Sequence, residues 1–245
     1  MIRVAAVGDL HYGVDSAGGL RPGIDAIADR ADLLLLAGDL TKVGAAEEAQ
    51  VLVDDLAGIP VPTIAVLGNH DYHSDEWDIV TKLLQTNGVR VLEGGNDVVE
   101  LPDVRVGIAG IKGFGGGFPG ACASDFGEPE MKAFVQHTMA TASRLEHALR
   151  SLDTDVRIAL LHYSPVKDTL FGERLEIYPF LGSYLLAEAI DRAGADLVIH
   201  GHAHAGSEKG VTPGGIHVRN VAQPVIGHAY NVYCLRHPRA EPVCD

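Results

Sequence analysis

Three apolar runs of strand length each stop at a glycine followed by an acidic or amide residue. Residues 2–7 run into Gly8-Asp9-Leu10-His11, residues 32–37 into Gly38-Asp39, and residues 63–67 into Gly68-Asn69-His70-Asp71. Short runs rich in aliphatic and β-branched residues, closed by glycine, read as buried strands. Between them lie stretches of helical character: residues 22–30, residues 45–56 with Val51, Leu52 and Leu56 on one side, and a helix whose first turn carries Asp75, Glu76 and Asp78. Carboxylates there suit the positive end of the helix dipole. A β-α-β-α-β-α succession implies a parallel sheet with right-handed crossovers. In such a sheet ligands bind just beyond the carboxyl ends of the strands, which is where the polar residues fall.

The pattern changes after Asn87-Gly88. Residues 89–92, 98–101 and 104–109 read as a meander of short strands that begins a second sheet, with turns at Gly94-Gly95-Asn96-Asp97 and Pro102-Asp103. Residues 112–129 form a glycine-rich loop carrying Phe114, Phe118 and Phe126, followed by a helix over 130–149. A strand over 156–161 ends at His162, and a second irregular insertion follows it. A helix over 184–192 and a strand over 196–199 lead to His200-Gly201-His202-Ala203-His204, and residues 216–221 and 230–235 close the chain as strands. No repeat or linker divides the sequence, so residues 1–245 are expected to form one domain with lid-like insertions near 112–129 and 163–182.

A formal charge of −14 gives a surface that repels duplex nucleic acid and an anionic membrane face. The N-terminal stretch lacks the layout of a signal peptide, and no segment reaches the ~18 apolar residues of a membrane span. Cys122, Cys234 and Cys244 form no CxxC pair and are odd in number. The expectation is a reduced, cytoplasmic protein, with a Cys234–Cys244 pair conceivable only on oxidation.

The five strand ends share one construction. Taken in order, Gly8-Asp9-Leu10-His11, Gly38-Asp39, Gly68-Asn69-His70-Asp71, His162 and Gly201-His202-Ala203-His204 resemble the motif series of the calcineurin-like metallophosphoesterase superfamily. The resemblance spans residues 9–204 and implies an α/β fold, a four-layer α-β-β-α sandwich of two mixed sheets with a dinuclear metal site at the strand ends. It implies that Asp9, His11, Asp39 and His204 hold one metal, and Asp39, Asn69, His162 and His202 the other. Electrostatics supports a shared Asp39 independently, because two cations ~3.5–4 Å apart need a common anionic ligand. Asp, Asn and His donors without thiolate favour Mn, Fe or Zn over Mg or Ca.

The resemblance further implies hydrolysis of a phosphate ester by a metal-bridging hydroxide. His70 would contact the phosphate and protonate the leaving oxygen, and Asp71 would accept from the other nitrogen of His70. The substrate is expected to be a small phosphodiester, nucleotide-like compounds included, ahead of a small phosphomonoester. Protein phosphatases match less well, because arginines of their second and third motifs are missing here. A non-catalytic protein-binding scaffold on the same fold is the alternative class; scaffolds of that kind typically lack ligands that this chain retains. Lys112 and Arg174, one in each insertion, are candidate clamps for a substrate phosphate, with solvated surface as the plainer reading. His73, His137, His147, His217, His228 and His237 are expected to be ordinary surface or core residues, and His200 to be structural.

Overall fold

The computed structural model describes residues 1–236; His237, Cys244 and any pairing of Cys244 fall outside them. The first half alternates as expected. Strand β1 (Ile2–Val7) leads through short helices α1 (Arg21–Ile24) and α2 (Ile27–Arg30) to β2 (Leu33–Ala37), then α3 (Ala46–Leu56), β3 (Thr63–Val66), α4 (Trp77–Thr86) and β4 (Val89–Val91). Neighbouring strands among these four pair in parallel.

Next come the hairpin β5 (Gly95–Leu101) and β6 (Val104–Ile111), a two-residue hairpin β7 (Gly117–Phe118) and β8 (Ala121–Cys122), and the long helix α5 (Pro129–Arg150). The chain continues with β9 (Val156–Leu161), α6 (Tyr178–Leu181), α7 (Tyr184–Ala193), β10 (Leu197–His200), β11 (Lys209–Val211), β12 (His217–Asn220), α8 (Gln223–Ile226) and β13 (Asn231–Leu235). The five-stranded sheet has the order β13-β1-β2-β3-β4 and the six-stranded sheet β11-β12-β10-β9-β6-β5. Both are mixed.

The unbroken apolar strands follow from four layers. Alternate residues of a strand face opposite sides. Leu33, Leu35 and Ala37 of β2 face the second sheet, joining Val4, Ala6, Ile64, Val66, Ile108, Ile158, Leu160 and Ile199 in the core between sheets. Leu34 and Leu36 face the other way, against Ile27, Leu52, Val53, Val80 and Leu84 of the helices. The outer face of the second sheet packs Ala159, Leu161 and Val198 against Leu145 and Leu149 of α5 and Leu186 and Ile190 of α7. A strand covered on both faces has no solvent side on which to alternate. Leu35 is fully buried, so its truncation to Ala should cost about 2–5 kcal/mol.

Two expectations are corrected. The first strand of the expected meander, β4, belongs to the first sheet, where Thr63, Ile64 and Ala65 pair with Val89, Arg90 and Val91; the second sheet starts with β5. The expected turn at 94–97 is mostly strand, since β5 begins at Gly95. The chain also returns at its end to the first sheet: β13 pairs antiparallel with β1 and covers its free edge. Strand β11 was not anticipated.

Both insertions are folded. The first turns back on itself through the β7–β8 hairpin, and the second forms single helical turns at Asp168–Leu170 and Leu175–Ile177 before α6. Phe118 from one and Leu170 and Leu181 from the other share a small apolar cluster with Ala203 of the last motif. Among the described residues no helix is long and apolar enough to cross a membrane.

Candidate metal centre

The loops after β1, β2, β3, β9 and β10 converge at one edge of the two sheets and bring the five motifs together. Four of their residues have left-handed backbone: Asp9 (φ 57°), His11 (φ 45°), Asp39 (φ 48°) and His202 (φ 69°). Such conformations cost free energy in non-glycine residues and persist only where the surroundings enforce them. Two glycines make room for the carboxylates. A Cβ on Gly68 would lie 2.0 Å from Asp39 Oδ1, and one on Gly201 2.3 Å from Asp9 Oδ2.

Candidate ligand atoms fall into two groups, each within 4.8 Å: Asp9, His11, Asp39 and His204, and Asp39, His162 and His202. Asp39 belongs to both because its two oxygens diverge. Oδ1 lies 3.3 Å from His162 Nε2, and Oδ2 lies 3.9 Å from His11 Nε2. Asn69 joins the second group through Oδ1, 3.0 Å from His162 Nε2. In the first group His204 Nε2 is 2.8 Å from Asp9 Oδ1 and 3.4 Å from His11 Nε2. Asp9 and Asp39 are 2 % and 1 % exposed, and among the described residues neither pairs with a lysine or arginine. Buried carboxylates faced by imidazoles suit divalent cations in composition and in charge.

Backbone carbonyls orient the imidazoles. His162 Nδ1 donates to the Ala37 carbonyl at 2.8 Å, leaving Nε2 to face Asp39 and Asn69. His202 Nε2 lies 3.3 Å from the Phe180 carbonyl, so that donation to it leaves Nδ1 available as a donor to metal. Burial works against a charged His162, but the charge and hydrogen bond of Asp39 outweigh it and push the imidazole up to about 9. Burial likewise opposes the charged form of Asp39, yet His162 and the His70 amide hold it well below the usual carboxylate range. Burial lowers His11, and burial beside His162 pushes His202 down to about 3. The Asp9 hydrogen bond raises His204.

His70 stands beside this cluster without belonging to either group. Its Nδ1 donates to the Lys42 carbonyl at 2.7 Å, its Nε2 is 3.9 Å from Asp39 Oδ2, and its ring meets His11 edge-on at 4.6 Å. The expected Asp71–His70 bond is corrected. Asp71 is completely buried and accepts instead from the amides of Leu40 (3.2 Å), Thr41 (2.8 Å) and Gly68 (2.8 Å) and from the Thr41 hydroxyl (2.6 Å). It ties the loop after β2 to the loop after β3, and these short loops need an internal acceptor for their amides. Burial raises its pKa, against the pull of those donors.

Lys112 is half-buried at the rim, whereas Arg174 lies on the exposed surface of the second insertion with no side-chain hydrogen bond or ion pair among the described residues. His200 is fully buried outside both metal groups, with Nδ1 2.7 Å from the Gly201 carbonyl and Nε2 2.8 Å from Thr169 Oγ1. Burial pushes it down to about 4. Sequence reasoning missed the orienting carbonyls of Lys42, Ala37 and Phe180, which carry no side-chain signal. It also missed Tyr163, whose ring lies 4.3 Å from that of His202.

A two-sheet sandwich whose strand ends bring together two acid–imidazole groups sharing one aspartate forms a candidate dinuclear metal centre. The chain belongs to the calcineurin-like phosphoesterase family, whose model matches residues 2–206. The family is metal-dependent. Solved structures share the fold at low identity. Phosphopantetheinyl hydrolase from Mycobacterium tuberculosis has a TM-score of 0.66 at 17% identity, covering 98% of each chain. A putative 5'-nucleotidase from Staphylococcus aureus has a TM-score of 0.51 at 17% identity over 89% of this chain and 48% of that one. A phosphatase of Mycoplasma pneumoniae has a TM-score of 0.52 at 14% identity over 91% and 72%. Among curated proteins the sequence finds no match.

Proposed function

We propose that this chain hydrolyses a small phosphate ester, a phosphodiester ahead of a monoester, at two metal sites that share Asp39. The observation carrying this reading is the division of the Asp39 carboxylate between the two groups. Asp9, His11, Asp39 and His204 would hold one ion, and Asp39, Asn69, His162 and His202 the other. Mn, Fe and Zn fit these donors. Bound metal supplies Lewis acidity and activates water near neutral pH.

The chain's own residues supply position and protons. Asp9 fixes the His204 ring, Ala37 and Phe180 fix the rings of His162 and His202, and the left-handed loops hold the carboxylates between them. His70, with Nδ1 committed to Lys42, presents Nε2 to the opening. In its protonated form that nitrogen donates to the leaving oxygen. Preference for a diester is supported by the rim, where Phe180, whose carbonyl meets His202, is 62% exposed. A diester carries a second organic group that such apolar surface can receive, and the neighbour matching end to end acts on a phosphopantetheinyl group.

The test is turnover of metal-reconstituted protein on paired mono- and diesters of the same alcohol. Faster turnover of the diesters is expected. Faster turnover of the monoesters would reverse the preference, and metal-loaded protein inert to every ester would favour the scaffold alternative.

A further inference from the structure

Lys112 follows β6 at the rim of the centre, and its backbone is fixed from two sides. Its carbonyl accepts from the amides of His162 (3.0 Å) and Tyr163 (2.9 Å), and its amide donates to Glu93 Oε2 at 3.3 Å. The ammonium lies 4.5 Å from the ring centre of Tyr72, 5.7 Å from Phe114 and 5.8 Å from Tyr163. Two of these rings are tied to the site, because Tyr72 lies two residues beyond His70 and Tyr163 directly follows His162.

Ring faces attract a cation but leave its three N–H donors largely unused. Among the described residues the half-buried Lys112 ammonium has no hydrogen bond or ion pair. An ammonium that has lost water without gaining an acceptor is costly, and an arriving oxyanion relieves that cost. The cage also holds the flexible stem before any ligand arrives, which reduces the entropy lost on binding.

Resting on the phosphoesterase reading, we propose that Lys112 is a substrate-binding residue whose ammonium donates to a nonbridging oxygen of the phosphoryl group being cleaved. Tyr72, Phe114 and Tyr163 are positioning residues that aim it. The Lys112 carbonyl bond to the His162 amide, and the place of Tyr72 two residues beyond His70, favour the reacting phosphoryl over a remote acidic group.

Inorganic phosphate is the probe, titrated calorimetrically into metal-loaded wild type, Lys112→Met, Lys112→Gln, Lys112→Arg and Tyr72→Leu, with metal content and Tm recorded for each. Lys112→Met should keep its metal and its Tm while binding phosphate roughly 10- to 100-fold more weakly, the equivalent of one charge-assisted hydrogen bond. Lys112→Gln gives the same reading should the Met variant not fold. Lys112→Arg should recover part of the loss, because a guanidinium also stacks on ring faces, and Tyr72→Leu should lose less than Lys112→Met. Unchanged phosphate affinity in Lys112→Met and Lys112→Gln overturns the inference alone, also where KM rises only for substrates with a second acidic group. Wild type that binds metal but no phosphate overturns it together with the phosphoesterase reading.

Discussion

The Nδ1 atom of His70 donates to the carbonyl oxygen of Lys42 across 2.7 Å. A carbonyl can only accept, so the contact fixes which nitrogen carries the permanent proton and turns Nε2 towards the open side of the cluster. A backbone acceptor is held by the fold itself, so the tautomer of His70 does not depend on the charge of a neighbouring acid.

Acid assistance matters only where the leaving oxygen needs a proton, and there it is typically worth roughly 10²–10⁴-fold. His70→Ala should therefore lose that much kcat on alkyl or nucleoside esters and far less on p-nitrophenyl esters, with metal content unchanged. Equal losses on both ester types would show that His70 only positions the phosphate.

Asp71→Asn should act on stability. The amide replaces one acceptor oxygen with a donor that faces the amides of Thr41, Leu40 or Gly68, and each bond to the buried carboxylate is worth about 1–3 kcal/mol. Urea denaturation should show a loss of about 2–4 kcal/mol. A variant as stable as wild type with only a leaving-group bias would restore the direct Asp71–His70 link.

Asp39→Ala removes a donor from both groups at once. Metal analysis should find up to two transition ions in wild type and near-complete loss from both sites in this variant, while Asp9→Ala should deplete chiefly one. Two ions retained in Asp39→Ala would contradict the sharing.

Gly68→Ala removes no candidate ligand, yet its methyl would clash with both the carboxylate and the amide of Asp39. It should deplete metal and activity much as Asp39→Ala does, with circular dichroism little changed. Full metal content would show that the loop can yield.

His200→Ala should keep both metals and lower stability by about 2–4 kcal/mol, through a cavity and lost bonds to Thr169 and Gly201. His202→Ala should empty a site with less effect on stability. The opposite pattern would mean that the wrong histidine has been placed at the metal.

The strands, their order in the chain and the candidate metal residues were legible because the apolar runs are covered on both faces, and each candidate sits where such a run stops. Sheet membership was not legible. Nothing local in Val89–Val91 distinguishes pairing with Ile64 from pairing with Val99, and only the docked α4 brings β4 back beside β3. The Asp71 partners beyond the neighbouring Gly68 amide were hidden for a related reason, since they belong to Leu40 and Thr41, 31 and 30 residues away in sequence. Lys112 was visible as a candidate, but its cage required three segments to meet. Arg174 shows the converse: a cation in an insertion that folds into short turns can be left facing solvent.

The left-handed residues at the strand ends have a consequence for the protein's life in the cell. Asp9, His11, Asp39 and His202 each hold a conformation that a chain without ligand gains by leaving, and ions that bind the folded form shift the balance the other way by mass action. On the proposed reading, metal supply should govern abundance as well as turnover. Chains made in metal-poor conditions should then unfold more often and meet proteases and chaperones, since a change of about 1–2 kcal/mol is enough to alter steady-state levels several-fold.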